Sequence, residues 1–197
     1  MDLIIVAGMP ATGKTTLSKK IAAALGMPLL EKDEIKEEMY KILGYSGLED
    51  RRVDDIVANN ILLRCTENIL RSGTSLLIVN NFDKEMIGQV QNLVDSTGCN
   101  CVLVFLDGNP DVLYQRYVDR DATHSRHTVH ELWDRYPPLP GDEPKTMTRQ
   151  LFREVFEDLG MSDFRLNCPR IDLEATYPEK IDVDGLIGEL KTLLGRE

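Results

Sequence analysis

The chain of 197 residues is short of positive charge: 23 lysines and arginines stand against 33 aspartates and glutamates, a formal net charge of −10. A surface that tracks a polyanionic strand or an anionic bilayer needs many basic contacts, so neither nucleic acid nor a membrane surface is expected as a partner. No apolar run approaches the length of a membrane span, and no basic leader precedes the first apolar stretch. Cysteine is scarce. Cys65, Cys99, Cys101 and Cys168 have no C-x-x-C spacing and are too few for a disulfide framework, so they read as reduced, mostly buried thiols of a cytoplasmic protein. There is no internal repeat, and the one low-complexity hint is PPLPGDEP at 137–144. At 42% hydrophobic, the chain can bury one sizeable core, and one domain over 1–197 is expected.

What is present begins at residue 2. DLIIV is short, apolar and rich in β-branched residues, the pattern of a strand buried on both faces. After Lys14 the period changes: TTLSKKIAAALG puts Leu17, Ile21, Ala24 and Leu25 on one stripe and stops at Gly26. Between them lies AGMPATGKTT, with G-x-x-x-x-G-K-T over residues 8–15, the phosphate-binding-loop spacing in the strand–turn–helix context it requires. Gly8 and Gly13 permit backbone angles that a Cβ obstructs. The run Gly8, Met9, Pro10, Ala11, Thr12, Gly13, Lys14, Thr15 and Thr16 can therefore turn its amides toward an anion. The helix starting near Lys14 adds its positive end. Lys14 is expected to reach the β- and γ-phosphates of ATP, and the Thr15 hydroxyl to hold Mg²⁺.

Strand and helix signals then alternate to the end, the signature of a parallel sheet wrapped by helices. PLL (28–30) reads as a second strand followed by the helix DEIKEEMYKIL. An amphipathic stretch from about Asp50 to Arg71 carries Val53, Ile56, Val57, Ile61 and Leu70. SLLIVN (75–80) is a third strand, EMIGQVQNLVDS a helix, and CVLVFLD (101–107) a fourth strand. Asn109 and Pro110 cap and open the helix DVLYQRYVDR. A fifth strand lies in RIDLEA (170–175), and a last helix from Asp182 carries Leu186, Ile187, Leu190, Leu193 and Leu194. The expected fold is therefore a three-layer α/β/α P-loop NTPase with a five-stranded parallel sheet. Residues 121–160, too long for an ordinary connection, are expected to form a helical lid.

Taken with LLEKDEIKEEM, VNNF and RYVDRDATHSRHTVH, the phosphate loop makes the chain resemble the P-loop kinase-like AAA-family ATPases. That group is related to chloramphenicol phosphotransferase, zeta-toxin kinases and polynucleotide 5′-kinases. The likeness covers roughly residues 1–130 in motif order. It implies ATP and Mg²⁺, and a reaction class rather than a substrate.

Asp33 stands just past the second strand, at the carboxyl end of the sheet where ligands bind in doubly wound folds. In related phosphotransferases a carboxylate at the matching place takes the proton of the attacking hydroxyl. The alternative is that Asp33 caps the helix that follows. Lys36 matches a position where polynucleotide kinases carry arginine, and it either touches substrate or phosphate or pairs with a carboxylate such as Glu31. The strand ending in VNNFDKE departs from the many P-loop proteins that place an acid there for Mg²⁺. Asn80 and Asn81 stand in its place, and Asp83 is the first carboxylate. Thr15 is then the one metal ligand named, and Asn81 is either a substrate-positioning amide or a turn residue.

Arg116 and Arg120, four apart, share a helix face, and Arg126 follows. The arrangement resembles the lid of nucleoside-monophosphate kinases, which implies that Arg116 stacks on adenine while Arg120 and Arg126 close on the phosphates and stabilise the transferred group. The plain alternative is a solvated face paired with Asp119 and Asp121. His124, His127 and His130 recur every three residues but have no neighbouring cysteines, which favours lid histidines over zinc. Trp133 and Tyr136 are packing residues or one wall of a substrate pocket.

The leading expectation is an ATP-dependent kinase of a small hydroxyl compound, with Asp33, Lys14, Arg120 and Arg126 as its catalytic residues. A polynucleotide 5′-hydroxyl kinase shares the same parts but needs a basic channel. A regulatory ATPase without an acceptor needs a partner surface and a water-orienting residue. Neither the acceptor nor the oligomeric state is written in the motifs.

Overall fold

The computed structural model describes residues 1–123 and 128–196. Five strands, β1 (Asp2–Gly8), β2 (Leu29–Glu31), β3 (Leu76–Val79), β4 (Asn100–Asp107) and β5 (Arg170–Glu174), form one sheet in the order β2-β3-β1-β4-β5, with every pairing parallel. Parallel strands need crossovers, and helices supply them. Among the described residues these are α1 (Lys14–Leu25), α2 (Lys32–Leu43), α3 (Leu48–Arg71), α4 (Ile87–Thr97), α5 (Pro110–Ala122), α6 (Arg149–Phe152) and α7 (Val183–Leu193).

Alternation along β1 divides the core into two layers. Leu3, Ile5 and Ala7 pack with Leu62, Leu70, Val90 and Val94 of α3 and α4. Ile4 and Val6 turn the other way, onto Leu17 and Ile21 of α1 and Leu186 and Leu190 of α7. Both faces of the sheet are covered, which is why DLIIV and CVLVFLD read as continuous apolar runs. β1 connects toward β2 on one side and β3 crosses to β4 on the other, so the chain reverses between β1 and β4. In open α/β sheets such a reversal is where ligands bind, at the carboxyl ends of the strands.

Of residues 121–160, expected to be one lid, the described ones from 128 on pack against two neighbours. A short 3₁₀ turn, Thr128–His130, and the chain after it dock on α2 and α3. Tyr45 and Tyr136 exchange two backbone hydrogen bonds of 2.9 Å, and Val129 is buried with Tyr40 and Tyr45. Met147, Phe152 and Met161 instead pack on Leu113 and Tyr117 of α5 and on Met9 of the phosphate loop. The cysteines divide as well: Cys99 and Cys101 are buried and Cys168 is half-buried, but Cys65 is exposed on α3.

Candidate active site

The phosphate loop joins β1 to α1. Gly8 adopts φ 126°, Ala11 61° and Gly13 86°, a succession of positive φ values of the kind by which a loop aims N–H groups at an anion, while the Met9 N–H donates to the Leu106 carbonyl at 3.0 Å. Gly8 is required for space as well as for angle: a Cβ there would lie 1.9 Å from the Leu106 carbonyl oxygen of β4. Gly13 is the N-cap of α1 and contributes no side-chain cap, and the first turn of α1 holds no acidic residue. The positive end of the helix is thus left for an anion.

Lys14 is buried, and its Nζ donates to the Met9 carbonyl at 2.6 Å, while the Thr12 hydroxyl donates to the same oxygen at 2.7 Å. Thr15 and Thr16 are exposed at the loop's exit. These residues fit the phosphates of a nucleotide: an uncapped helix N-terminus behind a loop of positive φ values, an ammonium folded onto its own loop, and an exposed hydroxyl on the first turn. Mg²⁺ commonly keeps several waters and uses one or two protein oxygens besides phosphates, a demand that Thr15 meets.

Arg116, on α5, sends its guanidinium into the loop rather than outward. Nη1 donates to the carbonyls of Ala11 (2.8 Å) and Ala175 (3.3 Å), and Nη2 to Thr176 (2.5 Å). It therefore fastens the phosphate loop to the loop following β5, whose Pro178 also lies against Gly13. Arg120, one turn on, is half-buried with its guanidinium 5.2 Å from the Tyr117 ring centre. Arg126, His124 and His127 lie outside the described residues.

Asp33 is the second residue of α2, half-buried at the carboxyl end of β2. It is not the cap of that helix. Glu31 occupies the N-cap, without a side-chain cap bond, and pairs instead with Lys19 of α1 at 3.2 Å. Burial pushes the Glu31 carboxyl up, against the pull of Lys19.

Lys36 does not pair with Glu31. It is buried, and its Nζ lies 2.7 Å from Asp55 Oδ1 of α3, which also takes Lys32 Nζ at 2.6 Å. Desolvation, then the neighbouring Lys32 charge, brings Lys36 down to about 7, with Asp55 pulling the other way. Burial alone would raise Asp55, but the two ammoniums together hold it down at about 2. Asp55 is thus the common counter-charge that joins α2 to α3. Asp55→Asn should cost about 2 kcal/mol of stability, the size of the carboxyl's depression, by leaving Lys32 without its counter-charge and letting Lys36 lose its proton. Asp55 is depressed from about 3.9 in the unfolded chain, so its contribution is present above pH ~4 and fades as pH falls toward 2. Urea titrations across that window should show an acid-side loss in the parent that the variant lacks.

Asn80 ends β3 with its backbone N–H on the Val6 carbonyl and its side-chain Nδ2 on Asn59 Oδ1 of α3 at 2.9 Å. Asn81 is half-buried beside it. Asp83 is a cap: Oδ1 accepts the N–H groups of Glu85 and Met86. His130 is buried with Nε2 2.8 Å from Glu37 Oε1, and Arg51 donates to the carbonyl of Glu131 at 2.9 Å. Trp133 donates its indole N–H to the Thr128 carbonyl, and Tyr136 stacks on Tyr45, so both side chains pack the segment onto α2. Asp55, Asn59, Arg51 and Glu37 carry no motif signal, since each meets its partner only across a helix pair or a distant loop.

These features define a P-loop nucleotide-binding fold of the kinase-like kind. The chain matches the family described as AAA domain over residues 3–137, and it belongs to that family, as a P-loop kinase-like AAA protein. It is 31% identical to a candidate kinase from Chloroflexus aurantiacus J-10-fl, with 98% of each chain covered and a TM-score of 0.81. A gluconokinase from Sinorhizobium meliloti 1021 is 18% identical, with 98% of this chain and 91% of that one covered and a TM-score of 0.56. A shikimate kinase from Bacteroides thetaiotaomicron is 18% identical, with 98% of each covered and a TM-score of 0.53. At that identity the last two show a shared fold. No curated protein matches the chain. Among the described residues no helix is long and apolar enough to cross a membrane.

Proposed function

We propose that this protein transfers the γ-phosphoryl group of ATP to a hydroxyl of a small molecule. The observation that carries this reading is the placement of Asp33. All strands are parallel, so the carboxylate past β2 and the phosphate loop past β1 lie at the same edge of the sheet, with β3 between them. ATP supplies the phosphoryl group, and Mg²⁺ offsets charge on its phosphates.

The chain's own residues do the rest. The backbone N–H groups of residues 11–16 hold the phosphates. Lys14 leaves the Met9 carbonyl for them, and the Thr15 hydroxyl serves as metal ligand. Asp33 accepts the proton of the acceptor hydroxyl, which is a poor nucleophile until that proton has somewhere to go. Arg120 and Arg126 stabilise charge on the transferred group. The segment 128–136, held by His130–Glu37 and Arg51, acts as the part of the lid that shields the site from water.

A net charge of −10 favours a small acceptor over a polyanionic strand. The test is ADP release with Mg-ATP and a panel of nucleosides, sugars and antibiotics, beside a single-stranded oligonucleotide bearing a free 5′-hydroxyl. At least one small hydroxyl compound should raise ADP release well above the protein's own hydrolysis. Turnover of the oligonucleotide alone, with tight salt-sensitive binding, would replace this reading by a polynucleotide kinase. Hydrolysis unaffected by every acceptor would replace it by an ATPase.

A further inference from the structure

The amphipathic pattern of α3 carries two apolar faces. Ala58, Leu62, Leu63 and Leu70 are buried. Val53, Ile56, Val57 and Ile61 are turned outward, with exposures of 56%, 53%, 39% and 38%. Their spacing of i, i+3, i+4 and i+8 makes one stripe along the helix. A helix needs a single apolar stripe to dock on its own domain, and a second contiguous one marks a contact with something else.

Three of the stripe's four residues are symmetric about Val57; Ile56 is not, since its counterpart Ala58 is buried. Val53 lies four residues before Val57 and Ile61 four after. Asp50 lies seven before and Arg64 seven after, and all of these positions are exposed on the same helix. Val53, Val57 and Ile61 mirror one another, while the charges at the two ends are opposite, Arg64 also pairing with Glu67 one turn on. A two-fold antiparallel helix pair needs that combination: Val53 meets Ile61 of the second copy, Val57 meets Val57, and Asp50 meets Arg64 twice over. A parallel pair would set Asp50 on Asp50 and Arg64 on Arg64, and like charges face to face are unfavourable.

We propose that the outer face of α3 joins two copies of this chain, antiparallel, about a two-fold axis beside Val57. The helix is 24 residues, or about 36 Å, long. A face about 10 Å wide over that length is smaller than the ~800 Å² per partner of a standard interface. The pair is therefore concentration-dependent rather than permanent. It would brace the helix whose inner face holds Asp55 and Asn59 against the site.

Sedimentation and light scattering over roughly 1–200 μM, spanning the micromolar range of a small interface, test it. The mass should rise from the 22.3 kDa of one chain toward twice that value. Val57→Asp should hold the protein at one chain with an unchanged melting profile. Asp50→Arg and Arg64→Asp should each weaken association by roughly tenfold, and the double variant should restore it. Val57→Cys combined with Cys65→Ser should yield an inter-chain disulfide under mild oxidation. A mass that stays at one chain over the whole range overturns the proposal. So does a Val57→Asp variant that still doubles, or a double charge exchange that fails to recover association.

Discussion

Lys14→Ala should weaken ATP binding by about 10²-fold and reduce turnover to near background, with the fold intact. An ammonium that contacts phosphate in a water-poor loop makes a charge-assisted bond worth about 1.5–3 kcal/mol in the ground state, and more as charge builds during transfer. Folding should tolerate the change. The Met9 carbonyl that Lys14 occupies keeps the Thr12 hydroxyl as a donor at 2.7 Å. Calorimetry with ATP and thermal melting read the two effects separately. Unchanged nucleotide affinity would remove residues 8–16 from the site.

Asp33→Asn should leave ATP affinity within a few-fold of the parent and cut phosphoryl transfer by roughly 10²-fold or more. The amide keeps the shape of the side chain but takes no proton at neutral pH. Two magnitudes separate this from a structural role. A 10²-fold loss in rate corresponds to about 2.7 kcal/mol in the barrier. Losing a first-turn carboxylate from the positive end of α2 costs only about 0.3–1 kcal/mol of stability, or a few degrees of melting temperature in a chain of this size. Because Glu31 and not Asp33 stands at the N-cap, no larger loss is expected. A variant that transfers phosphoryl groups normally but melts far lower would make Asp33 a structural residue and refute the proposed base.

Much of this protein is encoded within stretches of twenty residues or so. The phosphate loop is one case, because what it needs is local: backbone angles at Gly8 and Gly13, a lysine at the start of a helix, and an apolar strand before them. The parallel sheet is another, because strands buried on both faces must be continuously apolar, as β1 and β4 are. The cap at Asn109 with Pro110 behind it is a third, closed by hydrogen bonds to residues two and three positions ahead.

Tertiary structure decided what depends on partners far apart in the chain. The pattern of α3 contains two apolar stripes, and periodicity cannot say which faces the sheet. Asp55 settles the rotation by meeting Lys32 and Lys36, 23 and 19 residues away. Arg116 looks like a lid arginine from its spacing, yet its guanidinium ends among the carbonyls of Ala11, Ala175 and Thr176, which only the closed sheet brings together. Residues 121–160 looked like one insertion. Chain closure sends Val129 and Tyr136 to Tyr45, and Phe152 to α5 and Met9. Asp83, the first carboxylate past β3, spends its side chain on capping the next turn. Spacing fixes contacts within a turn or two of the chain, because covalent geometry holds those residues together. Which distant surfaces meet is chosen by the packing of the whole core, and no single segment carries that information.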